Sequence, residues 1–103
     1  MNGHVEPSLH AGVLRIHLQL PANSLKEKRS IIRPIVTRLR HRFNASVVEA
    51  GDLDHTGTAV VAVVCLSNDI AYLQGQLQAV VNAVETAHAD AIVADVETEL
   101  ISV

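Results

Sequence analysis

From Val13 to Leu20 apolar and polar side chains alternate. Leu14, Ile16, Leu18 and Leu20 fall on one side, and Val13, Arg15, His17 and Gln19 on the other. A period of two is that of a half-buried strand, and Pro21 ends it. Ser24-Leu25-Lys26-Glu27 then has the form of a capping box, and the period lengthens. Leu25, Ile32, Val36, Leu39 and Phe43 share one face of a helix over residues 25–43. Pro34 lies in its middle, lacks a backbone donor, and predicts a kink or a split. Residues 45–50 form a short second strand, and Gly51 to Gly57, with Asp52 and Asp54, a turn. Residues 58–66 (TAVVAVVCL) are apolar on both faces, the mark of a central strand. Asn68 or Asp69 caps a second helix, whose stripe is Ile70, Leu73, Leu77, Val80 or Val81, and Val84. Alternation returns at 91–100, with Ile92, Ala94, Val96 and Leu100 on one side and Asp95, Glu97 and Glu99 on the other.

The order β-α-β-β-α-β predicts a ferredoxin-like α+β fold: a four-stranded antiparallel sheet, spatial order 4-1-3-2, with two helices on one face. Residues 1–10 read as a flexible lead-in and 11–103 as a single domain. Leu14, Ile16, Leu18, Leu25, Ile32, Val36, Leu39, Leu73, Leu77 and Val84 are the expected core. One alternate set of strand three must then face away from the helices. Monomers seldom expose a large contiguous apolar patch, so a homo-oligomer is expected, most simply a two-fold dimer using the open face or an edge strand.

Composition narrows the function classes. Of 103 residues 49% are hydrophobic, yet there is one Phe, one Tyr and no Trp. Strands one and three carry no aromatic residue, so the sheet is not the base-stacking platform that some proteins of this topology use. Cys65 stands alone in a Val-rich run. No disulfide or Cys-x-x-Cys spacing is available, and a buried small hydrophobe in a reducing, cytoplasmic setting is the expectation. Residues 1–12 lack the apolar segment of a signal peptide. No apolar stretch approaches the roughly eighteen residues of a membrane helix.

Charge changes the picture most. The net charge is −3, but seven of the eight basic residues lie between Lys26 and Arg42. That segment carries +6, with Glu27 its one acid, and the remainder carries −9. Arg29 with Arg33, and Arg38 with Arg42, are like charges at i,i+4, each pair costing a few tenths of a kcal/mol. Lys26, Lys28 and Arg29 also occupy the first turns, where the helix dipole disfavours cations. Lys26, Lys28, Arg29, Arg33 and Arg40 are therefore the candidate RNA- or phosphate-binding residues, the helix N-terminus adding backbone donors. The competing reading is a solvated face whose aliphatic stems cover the core edge. Glu49, Asp52, Asp54 and His55 cluster near the second strand and turn. They suit a divalent cation or acid–base work, or simply form the turn. His17, on the open face, is a further metal candidate, but no His-x-His or Cys spacing joins it. No metal and no cofactor are expected.

Three stretches carry a resemblance: residues 24–29 (SLKEKR), 38–49 (RLRHRFNASVVE) and 67–69 (SND). In this order they resemble the YlxP-like family, small bacterial proteins of unknown function (domain of unknown function 503). The resemblance implies the ferredoxin-like fold. Genes of such proteins often neighbour those of translation initiation factor two and ribosome-binding factor A, which implies a role near the ribosome. The family pattern also implies a Trp shortly after Asp52-Leu53, where this chain has Asp54-His55. It carries no catalytic residues to transfer. Together these point to a non-enzymatic binding protein contacting RNA or a ribosomal particle through the first helix. The alternative is an assembly or regulatory module that acts through protein contacts on the open sheet face. An enzyme using Glu49, Asp52 or His55 is the third class, and no motif supports it.

Overall fold

A computed structural model describes residues 8–103. The strands are β1 (His10–Gln19), β2 (Ser46–Gly51), β3 (Thr58–Ser67) and β4 (Ile92–Ser102); the helices are α1 (Leu25–Arg42) and α2 (Ile70–Ala87). They follow the order β1-α1-β2-β3-α2-β4, and the sheet runs β2-β3-β1-β4 with every neighbouring pair antiparallel. This is the ferredoxin-like arrangement expected from the pattern. Residues 1–7 of the expected lead-in lie outside the described residues. His10 already belongs to β1, and the Val103 amide donates to the Leu9 carbonyl at 2.9 Å.

The central pair β1–β3 sets the core. Leu14, Ile16 and Leu18 stand opposite Val63, Val61 and Ala59 on the helix side, and all six are buried. Onto them α1 brings Ile32, Ile35, Val36 and Leu39, and α2 brings Leu73, Leu77, Val80 and Val84. Gly12 faces α2: a Cβ there would stand 2.6 Å from Leu77 Cδ1, so the Leu77 side chain would have to shift. Leu25 is half-buried rather than buried, and Ile35, absent from the expected core, is buried.

Two expectations about elements change. Helix α1 is continuous through Pro34. Pro34 and Ser30, whose carbonyl loses its helical partner, are both exposed, so the defect lies on the outer side of the helix. Ile32, Ile35, Val36 and Leu39 meanwhile anchor the helix on both sides of the proline. Strand β4 changes phase near its start. Leu18 pairs with Val93 but His17 pairs with Asp95, so Ala94 is an extra residue in a bulge. Val93 and Val96 consequently pack on the core, while Ile92 and Ala94, expected inward with Val96, are exposed. Beyond the bulge Asp95, Glu97 and Glu99 point to the open face as expected, across from His17, Arg15 and Val13.

Candidate phosphate-binding surface on helix one

Ser24 caps α1. Its hydroxyl accepts from the Glu27 amide at 3.1 Å, and the Glu27 carboxylate accepts from the Asn23 amide at 3.3 Å. The capping box thus forms, with Glu27 reaching one residue further back than the minimal motif requires. The cap uses the Glu27 amide, one of the first-turn donors of the helix.

The structure divides the basic residues of α1. Lys28 is 2% exposed and is the one buried charged residue among those described. Its ammonium donates to the backbone carbonyls of Asp52 and, at 2.7 Å, His55. It stands 3.1 Å from Glu49 Oε2. That oxygen is buried and makes no aligned hydrogen bond, so its contact with the ammonium is ionic at close range. Lys28 therefore leaves the candidate phosphate set, because three protein oxygens surround it in the interior. Helical phase gives the reason: on the wheel Lys28 falls between Ile35 and Leu39, both core residues. Its place in the buried arc was a usable signal, and Glu49 was the counter-charge the segment seemed to lack.

Arg40 is also engaged. Its Nε and Nη2 donate to the Val47 carbonyl at 3.0 and 2.6 Å. Val47 belongs to the edge strand β2, so Arg40 ties α1 to the sheet margin. Lys26, Arg29 and Arg33 remain exposed. Together with Ser30 and Pro34 they line one shallow depression of about 380 Å³. Among the described residues the contacts within 4 Å between a basic side chain and a carboxylate are Lys28–Glu49 and His17–Glu97, so none of these three cations has a carboxylate partner.

The other candidate chemistry separates. Glu49 lies opposite Val61 on the helix side of the sheet, whereas His17 is on the open face, 2.7 Å from Glu97. Asp52 and His55 offer Lys28 their carbonyls, and Asp52 turns the chain with φ 58°. Among the described residues no group of three or more His, Cys, Asp or Glu side chains could hold a metal ion. Cys65 is buried in β3, where desolvation raises its pKa and keeps it a protonated thiol. No helix among the described residues is long and apolar enough to cross a membrane.

Residues 11–98 match the family described as "Protein of unknown function (DUF503)". The chain belongs to the DUF503 family. The "Uncharacterized protein YlxP" of Bacillus subtilis (strain 168) is 31% identical over 65 residues, covering 63% of this chain and 71% of that protein. A solved structure, "De novo designed protein Foldit4", is similar with a TM-score of 0.56 at 14% identity, covering 90% of this chain and 96% of that one. The likeness to the designed protein concerns the fold alone. Within this DUF503 chain the SLKEKR stretch supplies both the cap, Ser24 and Glu27, and the buried Lys28. Much of that motif is therefore structural.

Lys28→Met should destabilise the protein by about 3–5 kcal/mol, because it leaves the Glu49 carboxylate and two carbonyls without their cation. Glu49→Gln should cost less, about 1–2 kcal/mol, since the ammonium keeps both carbonyls. Urea denaturation of the two variants measures the difference, and equal losses would contradict this arrangement.

Proposed function

We propose that this protein is a non-enzymatic binding protein whose helix α1 docks on the phosphate backbone of RNA through Lys26, Arg29 and Arg33. One observation carries the reading: three exposed cations line a single depression, with no carboxylate partner among the described residues. Holding like charges together on one helix face is unfavourable, and a polyanion relieves that repulsion. Phosphate contacts position a nucleic acid without reading its bases, so sequence preference should be weak. The resemblance to a family whose genes lie near those of translation factors fits an RNA or ribosomal partner.

A second reading has its own support on the open sheet face. There Ala11, Val13, Val60, Ala62, Val64, Leu66, Val48 and Ile101 lie in adjoining cross-strand rows. Leu66 is 60%, Val48 50% and Val64 38% exposed. The occupant that fits is a second copy, with a two-fold axis along β3 setting valines against valines and leaving the β4 carboxylates at a solvated rim. Strands about 4.8 Å apart and ten residues long present a face of about 600 Å². That is below the roughly 800 Å² per partner of a standard interface, so such a dimer would be weak and reversible. Sedimentation equilibrium should show concentration-dependent dimers that Val64→Glu abolishes. A monomer at all concentrations would remove this reading.

For the RNA reading, three phosphates of a single strand give a slope of log affinity on log salt of about −2, or roughly a twentyfold loss between 50 and 200 mM salt. The Arg29→Ala, Arg33→Ala double variant should flatten the slope by about 1.4 with little change in stability. An unchanged slope would place the RNA site elsewhere, and failure of the wild type to bind at low salt would defeat the proposal.

A further inference from the structure

Between the C-terminal end of α1 and the first turns of α2 lies a cleft of about 520 Å³, lined by Arg42, Phe43, Asn44, Tyr72, Gly75 and Gln76. The chain has one Phe, one Tyr and no Trp, and both the Phe and the Tyr line this cleft. The Arg42 guanidinium lies 5.4 Å from the centroid of the Phe43 ring. Phe43 packs against the core, but Tyr72 is 65% exposed although it is the larger polarisable surface of α2. A Cβ added at Gly75 would meet nothing within 4 Å, so the floor of the cleft is open there.

We propose that this cleft binds a nucleobase carrying a phosphate, as a free nucleotide or as one unit of a single-stranded RNA. Aromatic rings and arginine planes are the surfaces on which unpaired bases stack. The amides of Asn44 and Gln76 each offer a donor and an acceptor, which suits a base edge. Arg42 meets the phosphate, with Arg38 four residues away on the same flank of α1. The volume is in the range of small-molecule sites. This extends the RNA reading yet is separable from it, because by helical phase Arg42 lies on the side of α1 opposite Lys26 and Arg33.

As the sole tyrosine, Tyr72 gives ring resonances in the proton NMR spectrum that report on the cleft without ambiguity. The full chain is titrated with AMP, with an oligoadenylate, and with inorganic polyphosphate. Saturable upfield shifts of the Tyr72 ring with AMP identify a free nucleotide as a ligand, and shifts with oligoadenylate alone identify the RNA strand. Polyphosphate should leave the ring unmoved. Gly75→Leu fills the open floor while replacing a weak helix former by a strong one. It should raise Tm and weaken binding at least tenfold. Tyr72→Ala should weaken it about tenfold, and Arg29→Ala with Arg33→Ala should leave AMP binding unchanged. The proposal fails if neither adenine probe moves the Tyr72 ring, if polyphosphate moves it equally, or if Gly75→Leu binds like the wild type. Oligoadenylate binding that depends on Arg29 and Arg33 with an unmoved Tyr72 ring would remove the cleft and keep the α1 surface.

Discussion

The placement of α1 over the β2–β3 margin depends on a buried ammonium. Lys28 is enclosed with the Glu49 carboxylate and the carbonyls of Asp52 and His55, so one side chain joins the helix, the edge strand and the turn. An isolated charge in such a place would be costly, and its three oxygen partners are what make it tolerable. The turn has few other ties: Leu53, Asp54 and His55 are exposed, and the Leu20 amide holds Gly57 from the β1 side at 2.9 Å. Arg40 makes the companion tie three turns later, on the Val47 carbonyl. Between them these two cations fasten α1 at both ends of β2.

That fastening bears directly on function. A helix carrying seven cations looks like a uniform polyanion surface, but its cations do different things. Lys28 and Arg40 hold the fold together, Arg42 lies over Phe43, and Lys26, Arg29 and Arg33 face solvent around one depression. The proposed RNA contact is thus smaller than charge counting suggests, and its salt dependence correspondingly shallower. Phe43 at the C-terminal cap of α1 and Tyr72 of α2 line a separate cleft, so backbone contact and base contact would occupy separate surfaces.

The elements and their order were legible in the sequence because local period and tertiary burial agree. Leu14, Ile16 and Leu18 alternate in β1 and are buried, and the unbroken apolar run of β3 is the central strand beside it. What escaped depends on pairs far apart in sequence. The bulge at Ala94 is a property of the β1–β4 register, and no pattern within residues 91–100 distinguishes Ile92 from Val93. Helical phase places Lys28 in the buried arc of α1, but its partners, Glu49 and the turn carbonyls, lie more than twenty residues away and have no local signature. Pro34 reads as a break, yet its defect faces water while its neighbours are anchored in the core. The cleft of Phe43 and Tyr72 joins residues of two helices and had no local signature.

The division of the α1 cations is the central claim, and the chain's lysines, Lys26 and Lys28, test it directly. Native-state amine acylation followed by mass spectrometry, with and without single-stranded RNA, measures the reactivity of each. Lys26 should react at the rate of a solvated amine and be protected by RNA. Lys28 should react orders of magnitude more slowly, with or without RNA, until the protein is unfolded. Equal rates for the two lysines, or RNA protection of Lys28 rather than Lys26, would contradict the account.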